Sequence, residues 1–319
     1  MTTTRKSRVL IILAFAAVYI IWGSTYLGIR FAIETLPGFL MAGTRFFIAG
    51  AILFILALLQ GAKVRNSFAN WRRAFLIGAL LLLCGNGGVT WAEKYVASGF
   101  AALFVATEPL WVVVLNWALT HKRPNAKVLL GIVIGLSGVA LLVSDGLGQG
   151  IGNSSKMSLI GAGVVLLASL AWAGGSVYSN RNPIDGPTTM ASGMQMLAGG
   201  GLLLLLALVA GDFKRLNLET ASWTSIGAFA YLTIFGSLVA FTAYSFLLNN
   251  VTIARAATYA YVNPVVAVLL GWSIAGEPLT SKMILAASII VGSVVLITTY
   301  GRDHADAVHE SECPTPPCA

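Results

Sequence analysis

Glu108 lies in the middle of an apolar stretch covering roughly residues 97 to 119, and Pro109 follows it at once. An ionised carboxylate at the centre of a hydrocarbon layer costs about 2.5 kcal/mol or more on insertion scales unless it is paired or hydrated, so it belongs on an interior face. Pro109 has no N–H to offer the carbonyl of Val105. Pro264, which follows Asn263 in a second apolar stretch, leaves the carbonyl of Ala260 free in the same way. An acid, an amide and two free acceptors at similar depth are the material of a polar cavity that binds a solute. Burial raises the proton affinity of a carboxyl, which makes Glu108 a candidate for proton coupling. Asn263 cannot exchange a proton, so uncoupled facilitated diffusion stays open. So does the plainer reading, in which the prolines only kink the helices and Glu108 is a hydrogen-bonded support.

Ten further residues join Glu108 and Asn263 as candidates for substrate binding: Trp22, Ser24, Thr25, Asn86, Trp91, Trp111, Trp172, Ser176, Tyr244 and Tyr259. Aromatic faces bind cations and flat apolar groups, while hydroxyls and amides orient amino or carboxyl groups. Against this, Trp and Tyr at helix ends form interfacial belts, which claims Trp71 and Trp223 and competes for Trp91, and Ser and Thr commonly join helices. Arg45, two turns into another apolar stretch, and Arg30 with Glu34 are read as snorkelling or as structural ion pairs. No cofactor or metal is expected. His121, His304 and His309 fall outside the apolar stretches, there is no H-E-x-x-H or P-loop pattern, and Cys84, Cys313 and Cys318 form no disulfide framework. With neither a nucleophile nor a metal constellation, a membrane enzyme loses support. A sensor does too, since no folded signalling domain is found.

These residues need elements to hold them, and composition says which. Of 319 residues 57% are hydrophobic and 10% charged, too few charges for a water-facing surface. A bilayer core about 30 Å thick takes roughly 20 apolar residues per helix. Apolar runs between turn signals such as Leu36-Pro37-Gly38 and Asp185-Gly186-Pro187 predict an all-α integral membrane protein with ten spans: 9–33, 38–59, 74–92, 97–119, 126–144, 158–179, 189–210, 225–248, 254–275 and 283–300. Ala14-Phe15-Ala16 mimics a signal-peptide cleavage site, but the apolar core before it is too short for one. The net charge of +8 resides in the flanks of the spans, which argues for the lipid bilayer and against nucleic acid as partner. With the N-terminus inside, thirteen Lys and Arg lie at inner segments and six at outer ones. That asymmetry predicts a multi-pass protein with both termini cytoplasmic. Gly131, Gly135 and Gly138 share a face of span 5; intramolecular packing is the favoured reading and a homodimer the runner-up.

The two halves match at an offset near 150 to 155 residues. Trp22 matches Trp172, and Phe47-Ile48-Ala49-Gly50 matches Met196-Leu197-Ala198-Gly199. Glu108-Pro109 matches Asn263-Pro264. The units expected are 1–150 and 151–301, each of five spans, with a disordered cytoplasmic tail at 302–319. Because five is odd, the second unit enters the bilayer inverted, the arrangement from which alternating-access transporters are built. Trp22-Gly23-Ser24-Thr25-Tyr26, Ala42-Gly43-Thr44-Arg45-Phe46, Glu108-Pro109 and Asn263-Pro264 resemble EamA-type members of the drug/metabolite transporter superfamily. The resemblance implies a ten-helix inverted-repeat exporter in a bacterial inner membrane. It implies a small-molecule substrate such as an amino acid or an aromatic or cationic metabolite, and a pathway bordered by spans 3, 4, 8 and 9. A channel is the first alternative, although no ring-forming filter is evident.

Overall fold

An apolar run of 22 to 28 residues can satisfy its backbone within lipid by hydrogen-bonding to itself, which makes it a helix. The computed structural model describes residues 5–62, 68–121, 125–145, 155–251 and 256–311. Among these, seven helices are long and apolar enough to cross a membrane: α1 (Arg8–Ala32), α2 (Gly38–Leu59), α3 (Phe68–Ala92), α4 (Ser98–Thr120), α6 (Lys156–Arg181), α7 (Thr188–Val209) and α8 (Trp223–Asn250). Three more helices have shorter apolar stretches: α5 (Ala126–Asp145), α9 (Tyr259–Ala275) and α10 (Ser281–Ser311). α10 continues over residues 302–311, where a tail is expected, and 312–319 lie outside the described residues. α3 starts at Phe68, before the expected 74.

The exterior of the bundle is apolar at mid-helix, with Ile20, Ile55, Val133, Leu167 and Leu205 all exposed. In water that surface would be a large aggregation patch; in hydrocarbon it is the solvated face. Lipid gives helices no hydrophobic reason to associate, so close backbone approach has to hold them together. α2 and α7 supply the tightest example. A Cβ added to Gly50 would lie 2.7 Å from Leu197 N, and one added to Gly193 would lie 2.8 Å from Phe54 N. One on Gly200 would lie 2.6 Å from Phe47 N. Gly43 faces Gly200 and Gly50 faces Gly193, so the contact is unchanged when the two helices are exchanged. Gly131, Gly135 and Gly138 of α5 lie against Ile297, Ser293 and Ile289 of α10, within the same chain.

Side chains from after α7 and α9 cap helices far away in sequence. Asp212 Oδ2 accepts from Phe39 N (3.0 Å) and Leu40 N (3.3 Å), in the first turn of α2. Glu277 accepts from Ser98 N (2.9 Å), Ser98 Oγ (2.7 Å) and Gly99 N (3.1 Å), at the start of α4. Carboxylates at helix N-termini satisfy otherwise unpaired N–H groups and complement the helix dipole. The end of α7 therefore meets the start of α2, and the end of α9 the start of α4, so each pair runs antiparallel.

Candidate functional site

Three helices widen where the cavity lies. α1 is π-helical over Val18–Trp22, α3 over Ala79–Asn86 and α8 over Leu232–Phe241. The extra residue per turn in a π stretch redirects side chains and often marks a functional site. α4 breaks instead. It is interrupted at Ala106 and Thr107 and resumes as Glu108–Thr120, so Pro109 stands in the first turn of a new helical segment rather than inside a kinked one. There its missing N–H costs nothing. The carbonyl of Val105, freed as the sequence predicts, accepts from Ser169 Oγ of α6 at 3.3 Å.

Around these irregularities is a cavity of about 70 Å³, room for about two waters at roughly 30 Å³ each. Its lining includes Trp22, Thr25, Tyr26 and Ile29 of α1, Arg45 and Phe46 of α2, Gly85, Asn86 and Val89 of α3, and Val105 of α4. Ala168, Ser169 and Trp172 of α6, Gly236 and Phe241 of α8, and Tyr259 and Asn263 of α9 complete it. Trp22 and Trp172 meet edge to face at 5.4 Å, and Trp22 also touches Tyr244 at 4.9 Å and Tyr259 at 5.3 Å. The Trp22 indole N–H donates to the Gly236 carbonyl at 3.2 Å, which fixes the ring.

Six of the sequence-predicted residues thus line one cavity: Trp22, Thr25, Asn86, Trp172, Tyr259 and Asn263. Glu108 is fully buried behind Tyr259, whose hydroxyl donates to Glu108 Oε2, while Oε1 has no partner. Tyr244 is buried beside them and shares a 2.7 Å hydrogen bond with Ser176, which donates to the Trp172 carbonyl. These two brace the wall from behind. Ser24 bonds the Ile21 carbonyl and the Tyr231 hydroxyl (2.7 and 2.6 Å), tying α1 to α8. Trp91 stacks on Tyr95 at 5.1 Å, away from the cavity. Trp111 donates to Thr107 Oγ1 and lines a separate apolar groove with Ile160 and Leu167.

Arg45 departs most from the sequence reading. It neither snorkels nor forms an ion pair among the described residues. Its side chain is 2% exposed, Nη2 donates to Asn86 Oδ1 at 2.6 Å, and the guanidinium lies 4.3 Å from the Phe46 ring centre. Arg30 does not pair with Glu34; it donates to the Glu93 carbonyl at 3.0 Å. Glu93, one residue beyond the end of α3, is fully buried with neither carboxyl oxygen bonded. Burial first, and then the charge of Glu277, hold its carboxyl well above the ordinary carboxylate range.

A bundle of apolar helices around a small central cavity, with polar groups turned inward and apolar ones outward, defines a polytopic helical membrane protein. The sequence pattern of the EamA-like transporter family matches residues 9–144 and again 159–299, and the chain belongs to that family. It is similar to the "Uncharacterized inner membrane transporter YedA" of Escherichia coli (strain K12), 42% identical over 287 residues, covering 89% of each chain. It is also similar to the "Probable amino-acid metabolite efflux pump" of the same organism, at 25% identity over 96% of this chain and 98% of that one. A solved crystal structure of a protein 23% identical covers 94% of this chain and 99% of its own with a TM-score of 0.64, which shows a shared fold. Family and relatives alike indicate a transporter rather than an enzyme.

Proposed function

We propose that the protein is a secondary transporter that exports a small metabolite by alternating access through the central cavity. In this reading it is a multi-pass protein of the bacterial inner membrane, with ten spans in two inverted five-helix repeats and both termini cytoplasmic. The observation that carries it is the meeting of Trp22 and Trp172, 150 residues apart, at the cavity.

Several features support two equivalent halves. The family pattern matches the chain twice. α2 and α7 are each 22 residues long, begin after Pro37 and Pro187, and end before the left-handed glycines Gly61 and Gly211, all 150 apart. The π stretches of α3 and α8 both end before a residue 155 apart, Gly87 and Thr242, and His121 and Gly276 carry the left-handed caps of α4 and α9 at that same spacing. The supported register in α2 and α7 is 150, one more than the 149 of the sequence match, because Gly50 then falls on Gly200. Two halves related in this way can exchange conformations and expose one site to either side in turn. At about 70 Å³ the cavity is smaller than the 300 Å³ or more usual for ligand sites, so loading a metabolite requires one side to open.

Reconstitution in liposomes tests this. Saturable flux of at least one member of a panel of amino acids, aromatic acids and aromatic amines supports a carrier, and parallel runs with and without a proton gradient decide coupling. Flux that never saturates, or none with any panel member from folded protein, contradicts it.

A further inference from the structure

Resting on the transport reading, we propose that the site takes an organic anion, an aromatic or apolar carboxylate, and that Arg45 receives the carboxylate. Among the residues lining the cavity Arg45 alone carries a formal charge, and no carboxylate faces it. Nine-tenths and more of its side chain is buried, so the guanidinium is cut off from bulk water. Nη2 is held by Asn86 while Nε has no acceptor. A cation kept out of water is costly unless an anion meets it with good geometry.

Among the described residues no carboxylate pairs with Arg45. Glu93 acts on Arg45 only through space, forms no ion pair with it among the described residues, and is buried where its protonated form is favoured. Glu108 lies behind the wall with Tyr259 on it. A mobile ligand is the remaining source of the missing charge. The planar guanidinium matches a carboxylate fork for fork. A monoanion also fits the charge balance, since it neutralises one cation and leaves nothing over in a membrane interior. Trp22, Trp172 and Tyr259 offer flat faces for the rest of the molecule. Those same faces attract a free ammonium group, but the like charge of Arg45 opposes it and no acid in the lining compensates.

The test uses the purified full-length protein and three probes with one body and different heads: benzoate, benzamide and benzylamine, titrated by calorimetry. Benzoate is expected to bind about ten- to a hundredfold more tightly than benzamide, the worth of a hydrogen bond to a charged group, and benzylamine is expected not to compete. Arg45→Gln should remove the preference for benzoate over benzamide, and Arg45→Lys should keep the sign of the preference while weakening it. Since truncating a buried side chain can unfold the chain, the wild-type series decides by itself. Benzoate binding no tighter than benzamide, benzylamine binding as well as benzoate, or a folded Arg45→Gln protein with its preference intact each overturns the proposal. Flux of the same probes separates the two readings. Benzoate that binds at Arg45 but is never carried leaves the anion site standing and removes transport. Carried amine without benzoate binding does the reverse.

Discussion

The hydroxyl of Tyr259 donates to Oε2 of Glu108, and this bond ties α9 to the first turn of the resumed segment of α4. The two residues are 151 apart in sequence, one from each half. The acid that opens the second segment of one span is thus held by the aromatic that begins the helix opposite.

Glu108→Gln keeps the shape and an acceptor for Tyr259 but removes the ionisable charge. Flux should fall about tenfold, the worth of one charge-assisted hydrogen bond, with little change in thermal stability. Loss of the pH response alone assigns Glu108 to proton coupling, and unchanged flux at every pH assigns it to structural support.

Tyr259→Phe removes the donor and leaves both oxygens of a fully buried carboxyl unpartnered. It should destabilise the protein by about 1 to 3 kcal/mol, more than Glu108→Gln does. A double-mutant cycle in detergent should give a coupling between the two residues of about 0.5 kcal/mol or more.

Gly50→Ala and Gly193→Ala each put a methyl group against the backbone of the facing helix, where nothing flexible can yield. Each should cost about 1 to 3 kcal/mol, read as a lower melting temperature. Gly163→Ala and Gly201→Ala meet nothing within 4 Å and should be neutral.

Glu93 provides a pH test with a definite sign. Its folded-state proton affinity lies above the unfolded reference of 4.5. The stability it contributes is therefore fully present below that pH and is lost as pH rises toward the folded value. Melting curves of wild type and Glu93→Gln should coincide at the acid end and separate as pH rises, with Glu93→Gln the more stable. Equal separation at every pH would show that Glu93 does not titrate in this way.

The sequence told the helices well and their facing poorly. The expected limits of the second span, 38–59, are those of α2, because Pro37 stops one run and Gly61 the next. Trp91 and Asn86 are both candidates by residue type, and both lie on α3. Five residues at about 100° each turn the side chain about 140° away, and Trp91 packs on Tyr95 instead. Ser24 is turned from Trp22 in the same manner. Arg45 was missed for a different reason. Depth in a span is legible from chain position, but whether a long cationic side chain reaches back to the surface depends on its neighbours, and Asn86 comes from another helix. The signal available was the pair itself, an arginine and an asparagine each well inside an apolar run.

The carboxylate caps carry one last implication. Asp212 and Glu277 bind the starts of α2 and α4 on one face of the bundle, and the positions 150 and 155 residues earlier are Ala62 and Lys122. Neither can accept such bonds, so this chemistry has no counterpart by sequence on the opposite face. If the halves were identical, the two mirrored conformations of the proposed cycle would be equal in energy. Here one face is held by five bonds to carboxylates, whereas among the described residues the opposite face is bridged by arginines, Arg73 donating to the Pro183 carbonyl at 2.9 Å and Arg181 to Asn116 Oδ1 at 3.2 Å. Each face thus parts by breaking bonds of a different kind, so in the proposed cycle nothing obliges the two mirrored conformations to be equal in energy.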